Sequence, residues 1–246
     1  MAKQRHLNNA PIVEAIIDFR VKLPSGYNVT EFSSLKKTLS KDYPQMNESW
    51  TFEEEIMVKG KQIEQIVKDR GLRGYFFKSS DGKNVAQFRE DGFTLSRLKP
   101  YSDWETVLAE AKKLWSLYLK TASPELITRL ATRYINRMDI PLPINNFRQY
   151  LTAPPIIPKS LPQRVSRYLT RVTIVDPDDI MANIIQALER SSKPGHVAII
   201  LDIDVYKQME AGFPENQIWP TFEKLRNLKN RIFFDSITEE TARLFE

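Results

Sequence analysis

Residues 132–141 read "TRYINRMDIP", the end of a longer run, "LITRLATRYINRMDI", and the alternation in this run decides the fold. Side chains of a β-strand point to opposite faces in turn. Arg129, Ala131, Arg133, Ile135, Arg137 and Asp139 therefore share one side, and Leu130, Thr132, Tyr134, Asn136, Met138 and Ile140 share the other. One face is fit for a core, and the other lines up arginines.

Three further runs repeat the pattern. "PIVEAIIDFRVKL" opposes Val13, Ala15, Ile17, Phe19 and Val21 to Glu14, Ile16, Asp18, Arg20 and Lys22. "RVSRYLTRVTIV", at 164–175, sets Arg167, Leu169, Arg171 and Thr173 against Ser166, Tyr168, Thr170, Val172 and Ile174. "HVAIILDIDVY" sets Asp202, Asp204 and Tyr206 against Val197, Ile199, Leu201, Ile203 and Val205. Each is a half-buried strand with a polar second face.

Between these strands the apolar period changes from two to about 3.6. Phe32, Leu35 and Leu39 predict a helix over 30–42, ending before Pro44, and "YSDWETVLAEAKKLWSLYLKTA" predicts one over 103–121 with Ser102 or Asp103 as N-cap. A third is expected over 218–229, with shorter helical stretches at "INNFRQYL" and "TEETARLF". Turn signals "KG" at 59–60 and "DG" at 81–82 and 91–92 cut residues 50–99 into an antiparallel meander. "IMANIIQALE" is one more strand, and the four prolines of "TAPPIIPKSLP" mark an ordered crossing loop. The expected fold class is α+β, with antiparallel sheets covered by helices on one face. The element order leaves open two β-α-β(3-4)-α halves, 1–123 and 124–246, packed as one unit, with Val13, Ile17, Phe19, Trp104, Leu108, Trp115, Ile199 and Leu201 in the core.

Composition narrows the chemistry. With 246 residues, 41% of them apolar, the chain can bury a sizeable core, and no apolar window of about 18 residues exists to cross a bilayer. The N-terminus lacks the apolar stretch of a secretory signal, and there is no cysteine, so a cytoplasmic protein without disulfides, thiol chemistry or Cys-ligated metal is expected. His6 and His196 do not make a metal site. No GxxxxGK[ST], GxGxxG, GxSxG, HExxH or DxDxDG pattern occurs, so no cofactor and no catalytic residue is assigned. The net charge of +5 is unevenly spread: residues 129–171 hold eight bases (Arg129, Arg133, Arg137, Arg148, Lys159, Arg164, Arg167, Arg171) and one acid, Asp139, while 172–246 hold eight bases and thirteen acids.

Four stretches, "APIVEAIIDFRV", "FTLSRLKPYSDWE", "TRYINRMDIP" and "SITEETARLFE", resemble the landmarks of a sporadically distributed, uncharacterised bacterial protein family of about this length. The resemblance implies no catalytic residue and no cofactor. The patchy distribution of that family is similar to that of mobile defence or toxin-related genes. This chain departs from the family in having Leu130, Ala131 and Thr132 where small residues, often glycine, precede the Arg-Tyr-Ile-Asn stretch.

The reading favoured by the residues is a non-enzymatic interaction protein that docks a protein partner on the polar sheet face, through Arg133, Arg137, Arg167, Arg171, Tyr134, Asp18, Arg20, Asp202 and Asp204. A second is nucleic-acid binding by the basic 129–171 segment, with Tyr134, Tyr150 and Tyr168 for stacking; in element order alone the chain resembles the duplicated saddle of TATA-binding proteins. A third is an enzyme or small-ligand binder using Asp202 or Asp204 with Arg133 or Arg171 between the halves. Homo-oligomerisation is open in each. Against all three stands a plainer alternative, in which these arginines and carboxylates neutralise one another across the sheet.

Overall fold

A computed structural model describes residues 1–59 and 62–246, and the side chains of all but residues 52–70. The chain runs β1 (Ile12–Lys22), a 3-10 turn (Val29–Ser34), α1 (Leu35–Leu39), β2 (Gln45–Lys59), β3 (Gln62–Lys78), β4 (Asn84–Arg89), β5 (Gly92–Leu98), α2 (Trp104–Ala122) and β6 (Leu126–Pro141). After a 3-10 turn at Phe147–Gln149 follow β7 (Tyr168–Val175), β8 (Met181–Arg190), β9 (His196–Gln208), α3 (Glu215–Ser236) and α4 (Glu239–Arg243). The described strands form one sheet in the order β2-β3-β4-β5-β1-β6-β9-β8-β7. Every pairing is antiparallel.

The apolar faces read from the sequence are the ones the helices cover. Phe19 of β1 stacks on Trp115 of α2 with centroids 4.0 Å apart, and meets Phe222 of α3 at 5.0 Å. Phe32 beside α1 packs on Phe88 and Tyr118. Ile17, Phe19, Trp104, Trp115, Ile199 and Leu201 are buried as expected, whereas Val13 and Leu108 are only half-buried. The "DG" turns fall at the β3–β4 and β4–β5 corners. Gly92 has φ +150, and a β-carbon there would run into the backbone carbonyl of Phe19, so close pairing of β5 with β1 needs glycine. The "KG" turn expected at 59–60 lies outside the described residues at Gly60.

Element bounds differ most clearly in three places. The expected helix at 30–42 is a 3-10 turn followed by five α-helical residues, because Ser33 and Ser34 break the run of good helix formers. α3 begins after Pro214 and runs on to Ser236, since Ile232, Phe233 and Phe234 extend its buried side beyond the last turn expected. β7 starts at Tyr168 rather than 164, leaving Arg167 in the connector that precedes it.

Candidate functional site

Because opposed residues of antiparallel strands share a face, the register extends the polar side of β6 across the sheet. One row runs Glu14, Ile135, Asp202, Ile185, Arg171, and the next Ser96, Ile16, Arg133, Asp204, Asn183, Thr173. Asp18 lies one row further on, opposite Thr94 and Ala131, and Arg20 opposite Gly92 and Arg129. The alternation thus places Arg133, Arg137, Arg171, Asp18, Arg20, Asp202 and Asp204 on one face, away from the helices.

On that face the arginines and carboxylates engage one another. Asp18 accepts from Arg129 Nη1 at 3.0 Å and from the Thr94 hydroxyl at 2.6 Å, and lies 3.3 Å from Arg20 Nε and 3.5 Å from Arg89 Nη2. Arg129 continues to Asp204 at 3.1 Å and lies over the Tyr206 ring at 4.4 Å. Arg133 grips Asp202 with both Nε, at 2.8 Å, and Nη2, at 2.5 Å. Arg89 Nε and Arg73 Nη2 reach Asp91 at 2.9 and 3.0 Å, and Arg20 is bound to it as well. Arg137 meets Glu189 at 3.4 Å and Asp139 at 3.7 Å, and donates to the Arg190 carbonyl. Burial works against ionisation of Asp91, but Arg89, Arg20 and Arg73 together hold its carboxyl below the usual range. The hydrogen bonds from Arg133 to Asp202 likewise raise the arginine's pKa.

Asp202 and Asp204 are therefore engaged by arginine and are not a free carboxylate pair. Tyr134 sits on the other face, 2% exposed, with its hydroxyl 3.1 Å from that of Tyr101 and its ring under the Lys229 ammonium. Tyr134 thus belongs to the core, not to the polar face. Tyr150 is buried too, so neither it nor Tyr134 is available for stacking a base, while half-buried Tyr168 packs edge-on against Phe147. Arg167 and Arg171 are exposed and form no ion pair with any described residue.

Sequence reasoning passed over a hollow of about 470 Å³ on the helix side, lined among others by Tyr101, Trp104, Asn136, Arg226, Asn230 and Phe233. None of Asp202, Asp204, Arg133 and Arg171 lines it, so the residues of the small-ligand reading do not converge there. Its polar lining comes from four separate segments of chain, which no local motif signals. Among the described residues, no group of three His, Asp or Glu side chains is placed to hold a metal ion, and no helix is long and apolar enough to cross a membrane.

Fold and face together define an α+β protein whose single antiparallel sheet is covered on one side and carries a charge lattice on the other. No family model and no curated protein matches the chain.

Proposed function

We propose that the chain is a non-enzymatic interaction protein that docks a protein partner on the sheet face opposite the helices. The observation that carries this is the composition of that face: half-buried Ile16, Ile135, Ile185 and Ile200 alternate with the paired arginines and aspartates, and no helix covers them. Arginine is enriched in protein interfaces, and the isoleucines beside it give a partner apolar area to bury. Phosphate would gain little from arginines already holding carboxylates, and Asp18, Asp202 and Asp204 would repel it. We further read β1–α2 and β6–α3 as two halves meeting at the β1–β6 seam, which the strand order supports, and we place the chain in the sporadically distributed family on its four landmarks, with the defence-related setting as part of that placement.

The test is affinity capture from the native host with the wild type and with an Ile135→Asp/Ile185→Asp variant, beside thermal melts of both. Proteins held by the wild type and lost by an equally stable variant support the reading. Equal capture by both, or none by the wild type, rejects it.

One observation keeps nucleic acid as a second reading. Arg148, Lys159, Arg164, Arg167 and Arg171 form no ion pair with any described residue. Binding through them would weaken with salt by roughly one unit of log affinity per log salt for each phosphate contacted. A mobility shift at two salt concentrations, with DNA and with RNA, measures this slope, and absence of a shift at low salt ends it.

A further inference from the structure

β7 is an edge strand that its own chain leaves open on one side. β7 closes the sheet on one side, and every residue from Leu169 to Val175 is exposed. Leu169 is 70% exposed, Val175 64%, Val172 53% and Ile174 38%, so apolar side chains face water on both sides of the strand. The outward N–H and C=O groups of such an edge are a template for another strand. Proteins usually blunt such edges with charge, proline or a bulge; β7 has none of these but Arg171.

We infer that β7 pairs antiparallel with β7 of a second copy, about a twofold axis at Val172, joining two sheets into one. Three features select this occupant and this register. Opposed residues must share a face, so the axis has to fall on a residue rather than between two. Centring on Arg171 would set like charges opposite each other, and centring on Thr170 or Thr173 would shorten the overlap. Centred on Val172, the strand matches itself: Val172 meets Val172, Leu169 meets Val175, Thr170 meets Ile174 and Arg171 meets Thr173.

The flanking charges are also self-complementary. Arg164 and Arg167 precede β7, and Asp176, Asp178 and Asp179 follow it. Antiparallel pairing sets the basic end of each strand beside the acidic end of the other, with Arg167 falling alongside Asp176 and Asp178 of the second copy. Arg164 and Arg167 form no ion pair with any described residue, whereas Asp176 lies 3.5 Å from Arg231 and Asp178 2.9 Å from Lys224 of their own chain, pairs that the second copy's arginines would join. Pairing would supply these contacts twice. The pairing uses the outer edge of β7, and its test variants leave Ile135 and Ile185 unchanged, so either proposal can fail without the other.

The absence of cysteine makes a clean test. In Val172→Cys, the only thiols lie on the proposed axis, and mild oxidation should give a covalent dimer rapidly, while Leu169→Cys and Val175→Cys singly should link slowly. Light scattering over a concentration series should show a wild-type dimer whose dissociation constant rises at least tenfold in Val172→Lys and in Arg164→Glu/Arg167→Glu, with unchanged circular dichroism. A wild type that stays monomeric, a dimer indifferent to these changes, or equal cross-linking at all three cysteine positions overturns the proposal. Because the variants alter exposed side chains only, a folded monomer remains available to measure in each case.

Discussion

Lys229 is the residue whose setting is furthest from its ordinary state. It lies on the inner side of α3 and is 8% exposed, with Nζ 3.7 Å above the Tyr134 ring and 2.5 Å from Asn230 Oδ1. Burial, and then Arg226, push its pKa down from 10.5 to about 7. The ring and the amide oxygen favour the charged amine, but burial is the larger effect. The unfolded chain therefore binds more protons than the folded one between pH 7 and 10.5, and stability should rise with pH across that window. Below pH 7 the cost of burying the charge is present in full. Replacing Lys229 with Met should raise the melting temperature at pH 6, and the gap to the wild type should close as pH approaches 10. A gap independent of pH would show that the amine titrates normally. Nothing in "RNLKNRIF" marks this lysine out, because its burial depends on Tyr134, which lies on β6 and far away in sequence.

At the scale of the element, period-two patterns carried most of the information. β1, β6 and β9 are where alternation puts them, β7 begins four residues later than expected, at Tyr168 rather than 164, and their polar residues share the face that alternation implies. What the pattern could not supply was partnership. That Arg133 meets Asp202 and Arg129 meets both Asp18 and Asp204 follows from β6 lying between β1 and β9, a non-local fact of strand order. Nor could alternation tell a strand with both faces exposed from one with a single buried face, so β7 looked like its neighbours. The two kinds of strand position should respond differently to truncation. Trp115 of α2, 3% exposed, is stacked between Phe19 at 4.0 Å and Tyr118 at 5.1 Å. Trp115→Ala should cost about 3–5 kcal/mol in denaturant unfolding, whereas Val172→Ala on the outermost strand should change monomer stability by no more than about 0.5 kcal/mol. A Trp115→Ala protein with an unchanged midpoint would remove this residue from the core.

At the scale of the whole molecule, the two ends of the sequence are interlocked. β1 lies between β5 and β6, and its Phe19 packs on Trp115 from one half of the chain and on Trp219 and Phe222 from the other. The Ala2 N–H donates to the carbonyls of Phe234 and Ile237, Arg5 pairs with Glu239 and Glu246, and the Trp104 indole donates to Glu223. Asp18 stands at the seam and binds arginines from β1, β4 and β6. Separating residues 1–123 from 124–246 would strip Phe19 of half its aromatic shell and leave β1 and β6 as open edges. The protein should therefore unfold in one cooperative step, with far-ultraviolet dichroism and tryptophan fluorescence giving coincident curves. Asp18→Ala should lower that single midpoint without splitting it. Its side chain is only 11% exposed, and removing it takes one carboxylate from Arg20, Arg89 and Arg129, which keep Asp91 and Asp204, a loss of about 1–3 kcal/mol. Two resolved transitions, or a fragment of residues 1–123 that folds alone, would show that the halves are independent and that the seam is an interface rather than a core.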